Sequence, residues 1–258
     1  MQDAIALLDR DDKADSVPAR MQAPLARAMA DYAPDTHKIF SEEPDYDWSS
    51  GGKVFPSDDG AHLNVGRDSL TRMLRGVAED PENFALLYEA ERAQAADGLG
   101  RAAEKPGHGT EEWDTPARRT AMGIGAFNAI GADVILDDRD NRKGWADDVA
   151  RYGYHLGGTP LTMIPGVGDA AQRLLDSAAY EWSKDIKAEA DQIANAKATS
   201  DLMAHSMGTH DLINQWAEGR QMDYEKDAAV KNMRDEASQS YITSRTAALA
   251  VLGRGAGS

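Results

Sequence analysis

Apolar residues in this chain recur every three or four positions over long stretches, which is the spacing of one face of an α-helix. The clearest stripe follows a turn at 156–168 that is broken by glycines and prolines. It consists of Leu174, Leu175, Ala178, Trp182, Ile186 and Ile193. Charged residues fill most of the remaining positions, so one face is predicted to be buried and the other solvated. We therefore predict that a central amphipathic helix at about 169–197 organises the fold.

Shorter stripes elsewhere carry the residues that typically begin helices. Residues 19–32 show four apolar positions on one helical face, with Pro24 in the first turns, where a missing N–H costs least. Asp68 and Asp80 are predicted N-caps, because an Asp side chain accepts hydrogen bonds from first-turn amides. Pro81 strengthens the second of these starts. Two helices are therefore predicted to follow one another closely at Asp80.

The second half of the chain shows the same signals. Thr115 and Pro116 predict the start of a helix that is apolar on nearly all sides, so it should be deeply buried. Gly123 and Gly125 in that helix leave room for a neighbouring helix to approach closely. Further helices are predicted over 145–156, from Asp211 to Gly219, and from about Tyr224 onward.

These elements predict the all-α fold class, as an irregular multi-helix bundle around the central helix. Hydrophobic residues make up 41% of the chain and aromatic residues 7%, which suits a core of interdigitating helices. One strand-like pattern predicts a small β-hairpin near 54–65. The predicted organisation is a flexible or short helical lead (1–20), a helical subdomain (21–100) with a long loop (41–66), a linker (101–114), a main helical bundle (115–252) and a disordered tail (253–258).

The formal net charge of −16 disfavours binding to nucleic acid or to anionic membranes, because like charges repel. No apolar run reaches the roughly 20 residues that a membrane-spanning helix needs, so stable membrane insertion is not expected. The absence of cysteine excludes disulfides and thiolate chemistry. Residues 1–20 lack the basic and apolar regions of a cleavable secretory signal, so none is predicted there.

Two groups of side chains offer candidate chemistry. Asp137, Asp138 and Asp140 are spaced so that a loop could turn them around Ca²⁺ or Mg²⁺, but the Gly and Glu of an EF-hand loop are missing. A solvated acidic loop is therefore the favoured interpretation, with a metal site as the alternative. His205 and His210 lie five residues apart without the Glu of a zinc-binding helix. Their use in catalysis with Asp138 is a further alternative. No cofactor is predicted, because no glycine-rich loop carries a phosphate-binding fingerprint.

Tyr46 and Trp48 stand among acidic residues in the long loop. Aromatic side chains of this kind are frequent anchors in protein–protein interfaces, so these two are candidate partner-binding residues. They would equally serve to pin the loop onto the helices.

Three segments carry a family resemblance: Pro24–Tyr32, Leu70–Phe84 and Ile164–Ala171. Their order resembles the carboxy-terminal helical region of long actinobacterial proteins that are similar in layout to the WXG/LXG-type substrates of type VII secretion. The resemblance covers roughly residues 21–241. It implies a helical module that is secreted or associated with the cell surface and is sometimes joined to a toxin. It supplies no catalytic residues.

Three functional hypotheses follow. The first is a non-enzymatic helical interaction or scaffold module of a larger exported, type VII-like protein, whose partner is a secretion partner, an immunity-like protein or a second copy of the chain. It would be secreted or on the cell surface without a cleavable signal, with the cytoplasm as the alternative. The second is a toxin or metal-dependent hydrolase using Asp137, Asp138 and Asp140 with His205 and His210. The third is a pore-forming toxin domain.

Overall fold

The computed structural model describes residues 17–41, 63, 65–102, 111–138, 140–157, 187, 208–223 and 225–254. Within these residues the chain forms eight α-helices and no strand. They are α1 (Ala19–Asp31), α2 (Ala33–Ser41), α3 (Arg67–Val77), α4 (Pro81–Gly100), α5 (Glu111–Asp137), α6 (Arg142–Gly157), α7 (Thr209–Gly219) and α8 (Ala228–Val251). The predicted all-α class is therefore confirmed.

Several predictions fall outside the described residues. These are Tyr46, Trp48, His205 and most of both the hairpin near 54–65 and the central helix at 169–197. From the predicted hairpin, Leu63 and Val65 are described, and both are buried. From the predicted central helix, Lys187 is described, and its ammonium lies 3.0 Å from the Asp147 carboxylate of α6. The helix at 169–197 and the hairpin stay predictions.

Helix starts follow the capping residues closely. The Asp80 carboxylate accepts hydrogen bonds from the amides of Glu82 and Asn83 at 2.9 and 3.2 Å, with Pro81 at the first position of α4. This predicted start is confirmed. Asp227 caps α8 in the same way, which is why the helix begins at Ala228 rather than near Tyr224.

Other boundaries differ from the predicted ones. Helix α3 begins at Arg67 with Gly66 at the N-cap, so Asp68 lies in the first turn instead of capping it. A first-turn carboxylate is also favourable there, because it faces the positive end of the helix dipole. Helix α5 begins at Glu111, four residues before Thr115, and includes Pro116. Helix α2, which follows α1 after Tyr32, was not predicted.

One hydrophobic cluster runs through all eight described helices. Helices α5 and α8 make the most extensive contact between any two of them. Helix α4 packs against α1, α5 and α6, so helices on both sides of the predicted linker share the same core. The core consists mainly of Ala, Leu, Ile, Val and Met with a few aromatic rings, as the composition indicates.

Small residues set the distance between α5 and its neighbours. A Cβ atom added at Gly125 would lie 2.7 Å from the backbone oxygen of Tyr241 in α8, and one at Gly123 would lie 1.8 Å from the Glu91 carboxylate of α4. Real Cβ atoms do not approach other atoms so closely. A neighbouring helix therefore approaches closely at Gly125, as predicted, whereas the space at Gly123 is filled by the Glu91 side chain.

Candidate functional site at the carboxyl-terminal end of helix α5

Three helices bring their carboxyl-terminal ends together at one corner of the molecule. Arg75 lies in the last turn of α3, Asp133 and Asp137 lie in the last turns of α5, and Arg254 follows the end of α8. The end of a helix carries a partial negative charge, so three such ends favour positive groups nearby. The two aspartates add further negative charge to this corner, and the two arginines compensate it.

The four side chains form a closed ion-pair network. Asp133 accepts a hydrogen bond from Arg75 Nε at 2.6 Å through one carboxylate oxygen and from Arg254 Nε at 2.7 Å through the other. Asp137 accepts from Arg75 Nη2 and Arg254 Nη2 in the same alternating manner. Each guanidinium thus bridges both carboxylates. Since hydrogen bonds between charged groups are the strong ones, the network ties α3, α5 and α8 together.

Burial divides the network into a fixed half and an open half. The side chains of Arg75 and Asp133 are 8% and 7% exposed, whereas those of Arg254 and Asp137 are 32% and 51% exposed. Burial favours a lower pKa for Arg254, but its hydrogen bonds and charge interactions with Asp133 and Asp137 outweigh this and raise its pKa. The open half faces solvent and is the part that another molecule can reach.

Arg254 is held in place by the way α8 ends. The backbone amide of Arg254 donates to the carbonyl of Leu249 at 2.8 Å, and that of Gly253 donates to Ala250 at 3.1 Å. Gly253 has φ +79°, the left-handed conformation that completes a Schellman cap. Residues 253 and 254, which the predicted disordered tail at 253–258 includes, therefore belong to the helix end.

The three aspartates of the predicted acid cluster make different contacts. Both carboxylate oxygens of Asp137 are bonded to arginine. Asp138 accepts a hydrogen bond from the Asn141 amide at 3.1 Å, and Asp140 is exposed. Among the described residues, no group of three or more histidine and acidic side chains is placed to hold a metal ion. At Asp137 two guanidinium groups take the place that a metal would have in the alternative hypothesis.

A pocket of about 260 Å³ opens beside the network, between the ends of α3 and α5 and the first turns of α6. It is lined by Arg75, Glu79, Val134, Ile135, Asp137, Asp138, Asn141 and Trp145. Its charged lining consists of one guanidinium and three carboxylates. The Trp145 ring is fixed, because its Nε1 donates to the Ala78 carbonyl at 3.2 Å and it packs against Phe84 at 5.0 Å between centroids. The pocket is therefore preformed and negative. We call it the α5-end pocket.

One guanidinium nitrogen of Arg75 makes no hydrogen bond to the residues that the structure describes. Nη1 of Arg75 is buried, and Oε1 of Glu79 lies 3.7 Å from it. A buried donor that lacks its acceptor costs roughly 1–3 kcal/mol.

The second predicted candidate, His210, lies elsewhere. Its Nε2 is 2.7 Å from Ser238 Oγ, which pairs α7 with the first half of α8. Burial, followed by the charge of Arg234, lowers the pKa of His210 below its usual value of 6.5. Ser238 and the end of α8 are roughly 20 Å apart along the helix, at about 1.5 Å per residue. His210 and Asp137 therefore do not form one site.

Two further contacts between titratable side chains were not predicted. His37 Nδ1 lies 2.6 Å from the Glu91 carboxylate, which fills the space left by Gly123. Arg92 donates to Glu89 at 2.8 Å within α4. Burial raises the pKa of Glu89, and the nearby Arg92 opposes this. The first contact joins α2 to α4 and the second lies within α4, and none of these four residues lines the α5-end pocket.

Sequence reasoning also missed Arg75, Glu79 and Arg254. A signal existed for the last of these, since a Gly placed after an apolar helical stripe is a frequent C-cap. No local signal shows that Arg75 and Asp133, which are far apart in sequence, will meet.

The fold and the site define a class: an all-α bundle with an ion-paired corner and a small acidic pocket. Within the described residues, every helix is too short or too polar to cross a lipid bilayer. No family model, curated protein or solved structure matches the chain.

Proposed function

We propose that this chain is a non-enzymatic helical interaction module that binds a protein partner at the α5-end pocket. The observation that carries the proposal is the pocket itself, a preformed negative cavity between three helix termini. At about 260 Å³ it lies just below the roughly 300–1,000 Å³ typical of small-molecule sites. A cavity of this size suits one side chain of a partner.

The surroundings of the pocket support this interpretation. Binding residues are most effective when rigid elements hold them, because less freedom is then lost on association. Here Trp145 is fixed by a hydrogen bond and a ring contact, and Arg75 is fixed by two carboxylates. Glu79 and Asp138 stand at the rim, where charge steers and selects a partner.

The wider setting is also a proposal. The resemblance to type VII-associated proteins suggests a module of a larger exported protein, located outside the cell or on its surface. The partner would then be a secretion partner, an immunity-like protein or a second copy of the chain. Tyr46 and Trp48 stay candidate partner-binding residues.

The proposal is tested by charge reversal at the rim. Proteins that co-purify with the wild-type chain should be lost when Glu79→Lys and Asp138→Lys are combined, while the circular dichroism spectrum is retained. Two single variants are the controls: Asp140→Lys changes an exposed carboxylate that does not line the pocket, and Glu236→Lys changes one in α8. Equal recovery of the partners by the rim variant and by the controls would contradict the proposal.

The hydrolase alternative keeps one observation in its favour. The lowered pKa of His210 leaves its imidazole neutral at pH 7, as a general base requires, and Ser238 Oγ is within hydrogen-bonding distance. However, Ser238 Oγ also lies 2.8 Å from the Arg234 carbonyl. If its one hydrogen goes there, His210 must donate to the oxygen and cannot accept its proton. Labelling by a fluorophosphonate probe that is lost in Ser238→Ala would favour this alternative.

A further inference from the structure

We draw no further inference here: the strongest candidate, the partly buried guanidinium of Arg67 at the amino-terminal end of α3, which donates to Ser244 Oγ at 2.7 Å and lies over the Phe40 ring, rests on one helix terminus and one arginine, and nothing among the described residues shows which molecule would bind it.

Discussion

The middle and the carboxyl-terminal end of α5 use polar residues in opposite ways. In the middle, Asn128 donates to the Tyr241 hydroxyl at 3.0 Å and Arg245 donates to the same oxygen at 2.5 Å, all within the core. At the end, Asp137 and Arg254 meet in a network that is open to solvent on one side. Both regions join α5 to α8, and the second borders the α5-end pocket.

The difference shows where a partner could bind this bundle without disrupting a contact between its helices. In the middle, backbone meets backbone at Gly125, so any new atom displaces a helix. At the end, the contacts are made by side chains, and those of Arg254 and Asp137 are open to solvent. A partner would therefore add to the end of α5, while the middle serves stability alone. Substitutions at the two places should separate these roles.

The largest loss of stability is expected from Asp133→Ala. This change removes one of the two carboxylates that compensate the charge of the buried Arg75 guanidinium. Breaking one side of a buried ion pair costs about 3–5 kcal/mol. Chemical denaturation should show the loss as a lower midpoint with an unchanged slope. The matched control is Asp140→Ala, an exposed carboxylate near the same corner, which should stay within about 0.5 kcal/mol of wild type. Similar midpoints for both variants would show that the network contributes little.

The second prediction concerns the middle of α5. Gly125→Ala places a methyl group 2.7 Å from the Tyr241 carbonyl oxygen, and because that atom is backbone the two helices must separate. Overpacking of this kind typically costs about 1–3 kcal/mol. Thermal unfolding should show the loss.

Gly98→Ala is the control for that change, since α4 has open space at this position. Here the better helix propensity of Ala should stabilise the protein by about 0.5–1 kcal/mol. If Gly125→Ala were as stable as Gly98→Ala, the close approach of α5 and α8 would be refuted.

The contrast between the two regions also explains what the sequence allows one to predict. Fold class, the start of α4 at Asp80 and the close approach at Gly125 follow from local patterns, because each depends on neighbouring residues or on the absence of a side chain. Helix α2 was missed, since its nine residues carry Pro34 and little apolar periodicity. Met21, placed in the apolar stripe of α1, is in fact 39% exposed.

The site was predicted only in part. The acid cluster at Asp137 and Asp138 was recognised from its density, but its partners were not. Arg75 and Arg254 come from remote parts of the chain, and their meeting with α5 depends on how the helices pack. The density of acidic residues in the sequence thus pointed to this corner, whereas the packing of the helices determined that arginine side chains pair with Asp137.

A smaller effect on stability is expected from Arg254→Gln. Arg254 is partly exposed, and Asp133 keeps its bond to Arg75, so the loss should be about 1 kcal/mol, near the top of the range for solvent-accessible pairs. Hydrogen exchange should locate the change. The last amides of α8 should exchange faster than in wild type, whereas the amides in the middle of α5 should exchange at the wild-type rate. Uniformly faster exchange would mean that Arg254 stabilises the whole bundle, and it would contradict the separate roles of the middle and the end of α5.

The smallest effect is expected from pH at His210, which takes part in neither network. Because burial and Arg234 lower its pKa in the folded protein, the folded state binds fewer protons than the unfolded state below the ordinary value of 6.5. Stability from this group is therefore complete above pH 6.5 and is lost as the pH falls below it. His210→Gln removes the titration, so the stability of wild type should fall more than that of the variant between pH 7.5 and 5.5. Ser238→Ala retains the imidazole and should follow wild type. Parallel curves for wild type and His210→Gln would show that His210 takes up its proton as easily in the folded protein as in the unfolded chain, and the hydrolase alternative would lose its one supporting observation.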